Sequence, residues 1–388
     1  MRIAVVGGGP GGLYFAMLAA RRIPGAQVTV FDRDPAGATF GFGIALSDSS
    51  HEFLRADDEA CQRDIEAHGV RLVGQTISLG DASVHFPAPD ARGGLGIERL
   101  ALLDVLRRHA RDAGVDVRHG VAIDSLGALP DSDVVVGADG TNSIVRRSFD
   151  AEFGTTTRWL GARIAWYGTP RPFPISRLTF RRSDHGWYWS VGYRHAAGAS
   201  TFVAECAPDT WLASGMADMT PAQQLAHAQR IFADELRGAP LVSNHTSWKS
   251  LPVTRVERWS VGRHVLIGDA LHSPHPSIGS GTRLSMGDAA ALATCLARHR
   301  DDVPAALAAY RAEREPAKMK LVVPMERSLE WYETIGRRLD GGMGHAEMVF
   351  SYMARTGRMD LERLRRSAPE FCARHEAVAQ AAFATGAG

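Results

Sequence analysis

Three glycines at a fixed spacing, Gly7-x-Gly9-x-x-Gly12, open this 388-residue chain, and acids recur at the ends of later apolar runs. Gly7 permits a tight turn. Gly9 lets the backbone approach a pyrophosphate, and Gly12 lets a helix and a strand pack closely. A helix that begins at such a turn offers an anion unpaired N–H groups and a partial positive charge. Asp32 follows at the spacing from which a carboxylate accepts hydrogen bonds from a ribose diol, with Arg33 beside it. Together these residues describe a dinucleotide site, and on their own they leave NAD and FAD both open. Two more acids, in Gly137-Ala138-Asp139-Gly140 and in Gly268-Asp269-Ala270-Leu271-His272, stand where an apolar run ends and could hold sugar or ribitol hydroxyls. Pro276, Gly279, Ser280, Gly281 and Thr282 then lead into a helical pattern, whose N-terminus is a second anion-receptive end.

These residues need elements to position them. Residues 3–6 form a short apolar run, residues 13–22 a helical pattern and residues 27–31 a second apolar run, which together make a βαβ opening. Residues 40–50 are rich in Gly and Ser and predict a loop. Residues 98–113 predict a helix, and residues 115–118, 134–136 and 265–267 predict further strands. Between residues 158 and 205 the pattern changes to aromatic-rich strands at 164–167, 178–181, 187–193 and 201–205, separated by turn signals such as Asp184-His185-Gly186. Residues 221–237 predict a helix, and everything after residue 284 is predominantly helical. The expected fold is α/β. A Rossmann-like nucleotide-binding domain is expected over 1–157 and 250–320, an inserted antiparallel-sheet domain for the substrate over 158–249, and a helical C-terminal segment over 321–388.

Composition narrows the function classes. A net charge of +1 argues against a broad electrostatic footprint for nucleic acid. Only Lys249, Lys318 and Lys320 are lysines among 44 cationic residues, so the chain is strongly biased to arginine. Cys61, Cys206, Cys295 and Cys372 are far apart and offer neither a zinc framework nor a redox dithiol, so no metal site is expected. No apolar stretch reaches the ~18 residues of a membrane helix, and the first residues lack a signal-peptide pattern. The expectation is a cytoplasmic protein without a membrane partner.

In order and separation, the glycine motif, the Asp139-Gly140 segment and the Gly268-Asp269 segment resemble the fingerprints of the FAD-dependent aromatic hydroxylases, the single-component flavoprotein monooxygenases. Arg99, in Gly96-Ile97-Glu98-Arg99-Leu100, matches a fourth position, at which that family places an arginine on the FAD pyrophosphate. The resemblance implies that Asp32 binds the adenosine ribose and Asp269 the ribitol chain. Asp139 would lie between the pyrophosphate and the approach of the pyridine nucleotide, with Arg146 near it, and the helix opening at Gly279 to Thr282 would face the flavin. The family more usually has Gln and Asn where this chain has Ser280 and Arg283. That departure is itself similar to salicylyl-CoA and anthraniloyl-CoA hydroxylases, as are Phe40-Gly41-Phe42-Gly43, Trp166-Tyr167-Gly168-Thr169 and Arg355-Thr356-Gly357-Arg358. The tryptophan hydroxylase of violacein biosynthesis shares several of these segments.

The resemblance implies that NAD(P)H, bound transiently, reduces FAD. Reaction with O2 then gives a flavin C4a-hydroperoxide that hydroxylates an electron-rich aromatic ring. An indole-type substrate, or a flavin reductase or dehydrogenase on the same fold, remains the alternative. For the substrate, Trp187, Trp189, Val191 and Tyr193 share one face of a strand and could stack on a ring, or simply form sheet core. His51, Tyr167 and His185 could orient or deprotonate a phenol or aniline, or be structural. The arginines at 337, 338, 363, 365 and 366 could contact CoA phosphates or form a solvated helix face. A flavin-dependent halogenase fits poorly, because Trp187-Tyr188-Trp189 continues without Ile-Pro and the first lysine is Lys249. A flavin-binding protein that sequesters an intermediate is the remaining rival.

Overall fold

The computed structural model describes residues 1–38, 41–88, 93–244, 246–273, 276, 279 and 281–385. The side chains of residues 48, 49, 51 and 385 lie outside that description.

The first strand, β1 (Arg2–Val6), is buried along four of its five residues and sits at the centre of a six-stranded sheet. It pairs in parallel with β2 (Gln27–Asp32) on one side and with β9 (Val134–Gly137) on the other. β8 (Asp116–His119) extends the sheet beyond β2, and β17 (His264–Leu266) and β16 (Ser260–Val261) extend it beyond β9. Strands buried on both faces need continuous apolar sequence, which the Val-rich runs of β1 and β9 supply. The chain winds outward from β1 through β2 and later returns on the β9 side. This reversal leaves a crevice at the carboxyl ends of β1 and β9, where open α/β sheets bind ligands.

Helix α1 (Pro10–Arg22) starts with Pro at its first position, where the missing N–H costs nothing, and its next nine residues are buried. It packs on α10 (Gly281–Arg298), and Gly11 makes this possible: a Cβ there would lie 1.9 Å from Ser285 Oγ. α4 (Arg99–Asp112) packs on the other flank of α1, below α2 (Asp48–Asp57) and α3 (Glu59–Ala67). Two single-turn helices, α5 (Ile144–Arg147) and α6 (Asp150–Phe153), follow β9. The segment expected to be a loop over 40–50 instead contains β3 (Gly43–Leu46) and the start of α2. β3 pairs with β7 (Gly94–Glu98), which also pairs with β4 (Gly69–Leu72). Local glycine content misled there, because cross-strand partners about 50 residues away supply the ladder bonds.

A second six-stranded sheet has the order β11-β14-β13-β12-β5-β6, from β11 (Arg163–Thr169), β14 (Ala199–Cys206), β13 (Gly186–Ala196), β12 (Ser176–Ser183), β5 (Gly74–Leu79) and β6 (Ala82–Pro87). It is antiparallel except where β12 runs parallel to β5. One face is covered by α7 (Pro208–Ala213), α8 (Pro221–Ile231) and α9 (Ala233–Leu236), packed around Tyr167, Tyr188, Phe202 and Trp248. The single helix expected over 221–237 is thus two, interrupted at Phe232. The other face carries Trp187, Trp189, Leu178 and Phe180 and is closed by the C-terminal helices: α11 (Val303–Asp340), α12 (His345–Ala354), α13 (Leu361–Ser367), α14 (Pro369–Arg374) and α15 (Glu376–Thr385). A two-stranded link, β10 (Thr155–Trp159) with β15 (Pro252–Val256), joins the two parts.

Two expected boundaries need correction. The second sheet takes β5 and β6 from the first 157 residues, because β12 finds its parallel partner there. The 320/321 boundary falls inside α11, a 38-residue helix that spans both parts. Among the described residues no helix is long and apolar enough to cross a membrane.

Candidate active site

The glycine turn divides its work as its spacing implies. A Cβ on Gly7, whose φ is +108°, would lie 2.4 Å from Ala138 O, and one on Gly12 would lie 2.1 Å from Gly7 O. Both glycines are therefore fixed by packing. Gly9 differs, since nothing lies within 4 Å of a Cβ built there. That open space sits on the N-cap residue of α1, where the backbone N–H groups emerge. Asp32, at the end of β2, is buried, with its carboxylate against Gly8. It lies 4.0 Å from Arg107 Nη2 and 3.7 Å from His119 Nδ1. The sequence pattern did not single out these two neighbours, because they come from α4 and β8. Arg33 points outward and lies 3.7 Å from Asp34.

Arg99 begins α4, and its backbone N–H donates to Phe42 O at 2.9 Å. Burial lowers its pKa, and the charges of Asp269 and Asp34 partly restore it. Asp269 is open to solvent on one side and surrounded by protein on the others. Burial pushes its carboxyl up, Asp288 adds to the rise, and His272 and Arg99 oppose it. A surface that is reachable but poorly hydrated suits a carboxylate that accepts ligand hydroxyls.

The turn holding Asp269 rests on a network invisible in the linear sequence. Asp288, fully buried on α10, accepts from Gly268 N at 3.0 Å and from Arg314 Nε at 2.8 Å, and lies 2.9 Å from His272 Nε2. Burial alone would raise its pKa, but these partners outweigh that and hold the carboxylate ionised. Tyr310 OH donates to Leu266 O at 3.3 Å just before the same turn. The only sequence clue was an acid on the otherwise apolar face of an amphipathic helix.

Asp139 accepts from Ile144 N at 2.6 Å through Oδ2, while Oδ1 is buried without a hydrogen-bond partner. Burial raises its pKa, opposed by Ser143 and neighbouring backbone N–H groups. Arg146 is placed near Asp139, but its guanidinium is a brace. It donates to Ala270 O at 2.7 Å and to Thr141 O at 2.5 Å, tying the two acid-bearing turns together. Of the α10 opening, Pro276, Gly279, Gly281 and Thr282 are described, and Ser280 and His275 lie outside the described residues. Gly279 has φ +61°, and a Cβ there would lie 3.7 Å from Ala45 O on β3.

The residues thus form a succession: Asp32, the N-terminus of α1, Arg99, Asp269 and the N-terminus of α10. An acid, an anion-receptive turn with an arginine, a second acid and a second helix N-terminus suit ribose, pyrophosphate, ribitol and an electron-rich ring edge in that order. The open space at Gly9 fits the same ligand, FAD.

The substrate candidates are placed differently. Trp187 Nε1 donates to Asp340 Oδ1 at 3.0 Å, and Trp189 is fully buried 6.0 Å from the rings of Phe180 and Tyr332. Both are core beneath α11, so the structure does not offer them as stacking surfaces. Tyr193, on the same face, donates from its hydroxyl to Gly43 O at 2.8 Å, at the junction with β3. Burial pushes its phenol up to about 12. Tyr167 lies on the opposite face, accepting from Trp248 Nε1 at 2.9 Å within the α7–α9 core, with its phenol also pushed up to about 12 by burial. His185 is exposed at the β12–β13 turn. The β3 junction is at Tyr193, about 26 Å further along the strand at ~3.3 Å per residue, which removes His185 from the site. The side chain of His51 lies outside the described residues.

Comparison with known proteins agrees with this geometry. Residues 130–324 match the FAD binding domain model, and residues 5–41 match an NAD(P)-binding Rossmann-like domain. The chain is 33% identical to a salicyloyl-CoA 5-hydroxylase from a Streptomyces species, over 92% of this chain and 70% of that protein. It is 37% identical to the 3-hydroxy-4-methyl-anthranilyl-(aryl-carrier protein) 5-monooxygenase of Streptosporangium sibiricum, over 81% and 84%. It is 28% identical to the protodeoxyviolaceinate monooxygenase of Chromobacterium violaceum, over 92% and 94%. The crystal structure of P. aeruginosa PqsL with 2-aminobenzoylacetate shares the fold, with a TM-score of 0.68 at 20% identity, covering 86% of this chain and 96% of that one. With a matching cofactor-domain model and relatives that span most of its length, the chain belongs to the FAD-binding monooxygenase family.

Proposed function

We propose that this enzyme hydroxylates an electron-rich hydroxy- or aminobenzoyl group held as a thioester, in a reaction that consumes NAD(P)H and O2. The observation that carries this reading is that two relatives above 30% identity, matched over most of their length, are named for such substrates. One is a CoA thioester and the other is attached to a carrier protein.

FAD held by these residues would supply the redox chemistry, in which NAD(P)H is oxidised and O2 gives one oxygen atom to the ring and the other to water. The protein would bind, orient and exclude water. Asp32 would accept from the adenosine ribose, with Arg33 at the rim. The N–H groups at Gly9 and the Arg99 guanidinium would hold the pyrophosphate. Asp269 would accept from the ribitol hydroxyls. The N-terminus of α10, from Gly281 and Thr282, would stabilise negative charge on the flavin by ~0.3–2 kcal/mol. Tyr193 donates to Gly43 O and would help hold β13 against β3, beside the expected flavin end of the site.

A second reading, an indole-type substrate, is favoured by the relative named for protodeoxyviolaceinate. The test is a substrate panel of salicyloyl-CoA, anthraniloyl-CoA, the free acids, tryptophan and indole. NAD(P)H oxidation would be followed and products examined for a mass gain of one oxygen. Stimulation with oxygenation of an aroyl-CoA is expected. Oxygenation confined to indoles selects the second reading, and no stimulation by any compound rules out both.

A further inference from the structure

Arg107 puts a guanidinium on the buried face of α4. Its side chain is 6% exposed, and Leu103 and Ala110, one turn to either side, are core. A buried cation is costly unless an opposite charge meets it. Asp104 accepts from Arg107 Nη1 at 3.0 Å, but that acid is 61% exposed, so water screens the pair. The buried acid is Asp32, whose Oδ2 lies 4.0 Å from Arg107 Nη2.

Arg107 is not fastened as the bracing arginines of this chain are. Arg146 donates to two carbonyls, and Arg314 to a carboxylate and a carbonyl. Among the described residues, Arg107 makes one hydrogen bond, to Asp104, and its Nε is buried without a partner. At 4.0 Å the guanidinium acts on Asp32 by charge. It leaves free the oxygen lone pairs that a ribose diol would use. Asp32 Oδ1 accepts from Asp34 N at 3.3 Å, which turns the carboxylate. His119 Nδ1 lies 3.7 Å from Oδ2. Burial and then the charge of Arg107 lower the His119 pKa, Asp32 opposes this and Arg111 adds to it, so the imidazole is neutral at pH 7. Among the described residues, Arg107 is then the one permanent cation within 4.0 Å of Asp32.

The geometry points to Arg107 as a positioning residue for the cofactor. It holds the charge and orientation in which Asp32 accepts from the adenosine ribose, and through Asp32 it sets the preference for an intact ribose on the flavin nucleotide. This rests on the reading above that Asp32 binds that ribose.

The test is a fluorescence titration of the flavin-free chain with FAD and with its analogue built on 2′-deoxyadenosine. Wild type is expected to prefer FAD by about tenfold, the effect of one hydrogen bond to a charged group. Arg107→Met keeps an aliphatic stem and removes the charge. Arg107 borders a cavity of ≈ 310 Å³, so the shorter side chain leaves no sealed void. This variant should bind FAD about tenfold more weakly and prefer it over the analogue by less than about twofold. Arg107→Lys, which restores a cation, should recover most of the preference. A merely structural role would weaken both ligands by the same factor, so a wild-type preference in Arg107→Met overturns the proposal. Asp32→Asn/Arg107→Met leaves no unpaired buried acid and carries the test if the single variant does not fold. On the Asp32→Asn background, loss of Arg107 should change FAD affinity by less than about twofold. A fall of about tenfold there would mean that Arg107 reaches FAD by another route, which also overturns the proposal. Wild type that binds both ligands equally is a distinct failure: it removes the ribose assignment of Asp32, and the role of Arg107 with it.

Discussion

At the scale of single residues, the glycine turn separates folding from binding. Gly12 is closed in by the carbonyl of Gly7, and Gly9 faces open space. Backbone cannot yield as a side chain can, so Gly12→Ala should destabilise the FAD-free protein by ~1–3 kcal/mol. Gly9→Val should leave FAD-free melting unchanged, since Gly9 already has φ −74° and ψ 177°, a conformation Val adopts readily. Its branched side chain would fill the space for the pyrophosphate and weaken FAD at least tenfold in a fluorescence titration. FAD affinity equal to wild type in Gly9→Val would show that the pyrophosphate lies elsewhere.

At the scale of elements, α10 does two jobs through residues about two turns apart. Its N-terminus opens at the proposed flavin end of the site, and Asp288 anchors the Gly268-Asp269 turn. The carboxylate links that turn to α11 through Arg314, so the position of Asp269 depends on how three elements pack. Asp288→Asn would keep the size but leave the buried Arg314 cation without its counter-charge. The expected cost is ~3–5 kcal/mol, read from denaturant unfolding monitored by fluorescence. A loss within error of zero would mean that Arg314 is neutralised by another group. The pair also fixes a pH window. The Asp288 carboxyl is held below its ordinary value of 3.8, so its stabilisation is complete above that pH and is lost as pH falls through the lower folded value.

At the scale of the whole molecule, the second sheet is clamped between two helical layers, and the seam beneath α11 contains an acid. Glu205 on β14 is buried opposite Trp189, with Tyr332 and Glu333 of α11 nearby. Burial pushes its carboxyl up to about 8; Trp189 opposes this and Glu333 adds to it. The native state therefore keeps this proton after the unfolded chain has lost it. The associated stability is complete below about pH 4.5 and is lost as pH rises through about 8. Glu205→Gln mimics the protonated form. Its Tm advantage over wild type should grow by a few degrees between pH 5 and pH 8 in thermal scans. A constant Tm difference across that range would mean that Glu205 ionises in the folded protein at an ordinary pH.

Much of the cofactor half was legible in the linear sequence, because a nucleotide-binding turn is a local device. Gly7, Gly9 and Gly12 need only one strand and one helix to act, and β1 and α1 form from adjacent residues. The acids at 32, 139 and 269 were recognisable because each ends or follows an apolar run. The tertiary structure decided what depends on contacts between distant segments. It joined β5 and β6 to the second sheet, paired Asp288 with Arg314, and turned Arg146 from a ligand candidate into a brace. Alternation along β13 correctly put Trp187 and Trp189 on one face, but period-two patterning cannot say what covers a face. Here α11, more than 100 residues later in the chain, seals both tryptophans. Sequence alone therefore determined which cofactor the chain is built to hold. Only the packing of remote helices decided which side chains remain exposed to meet a substrate, because burial is a property of the neighbours a residue finds in space.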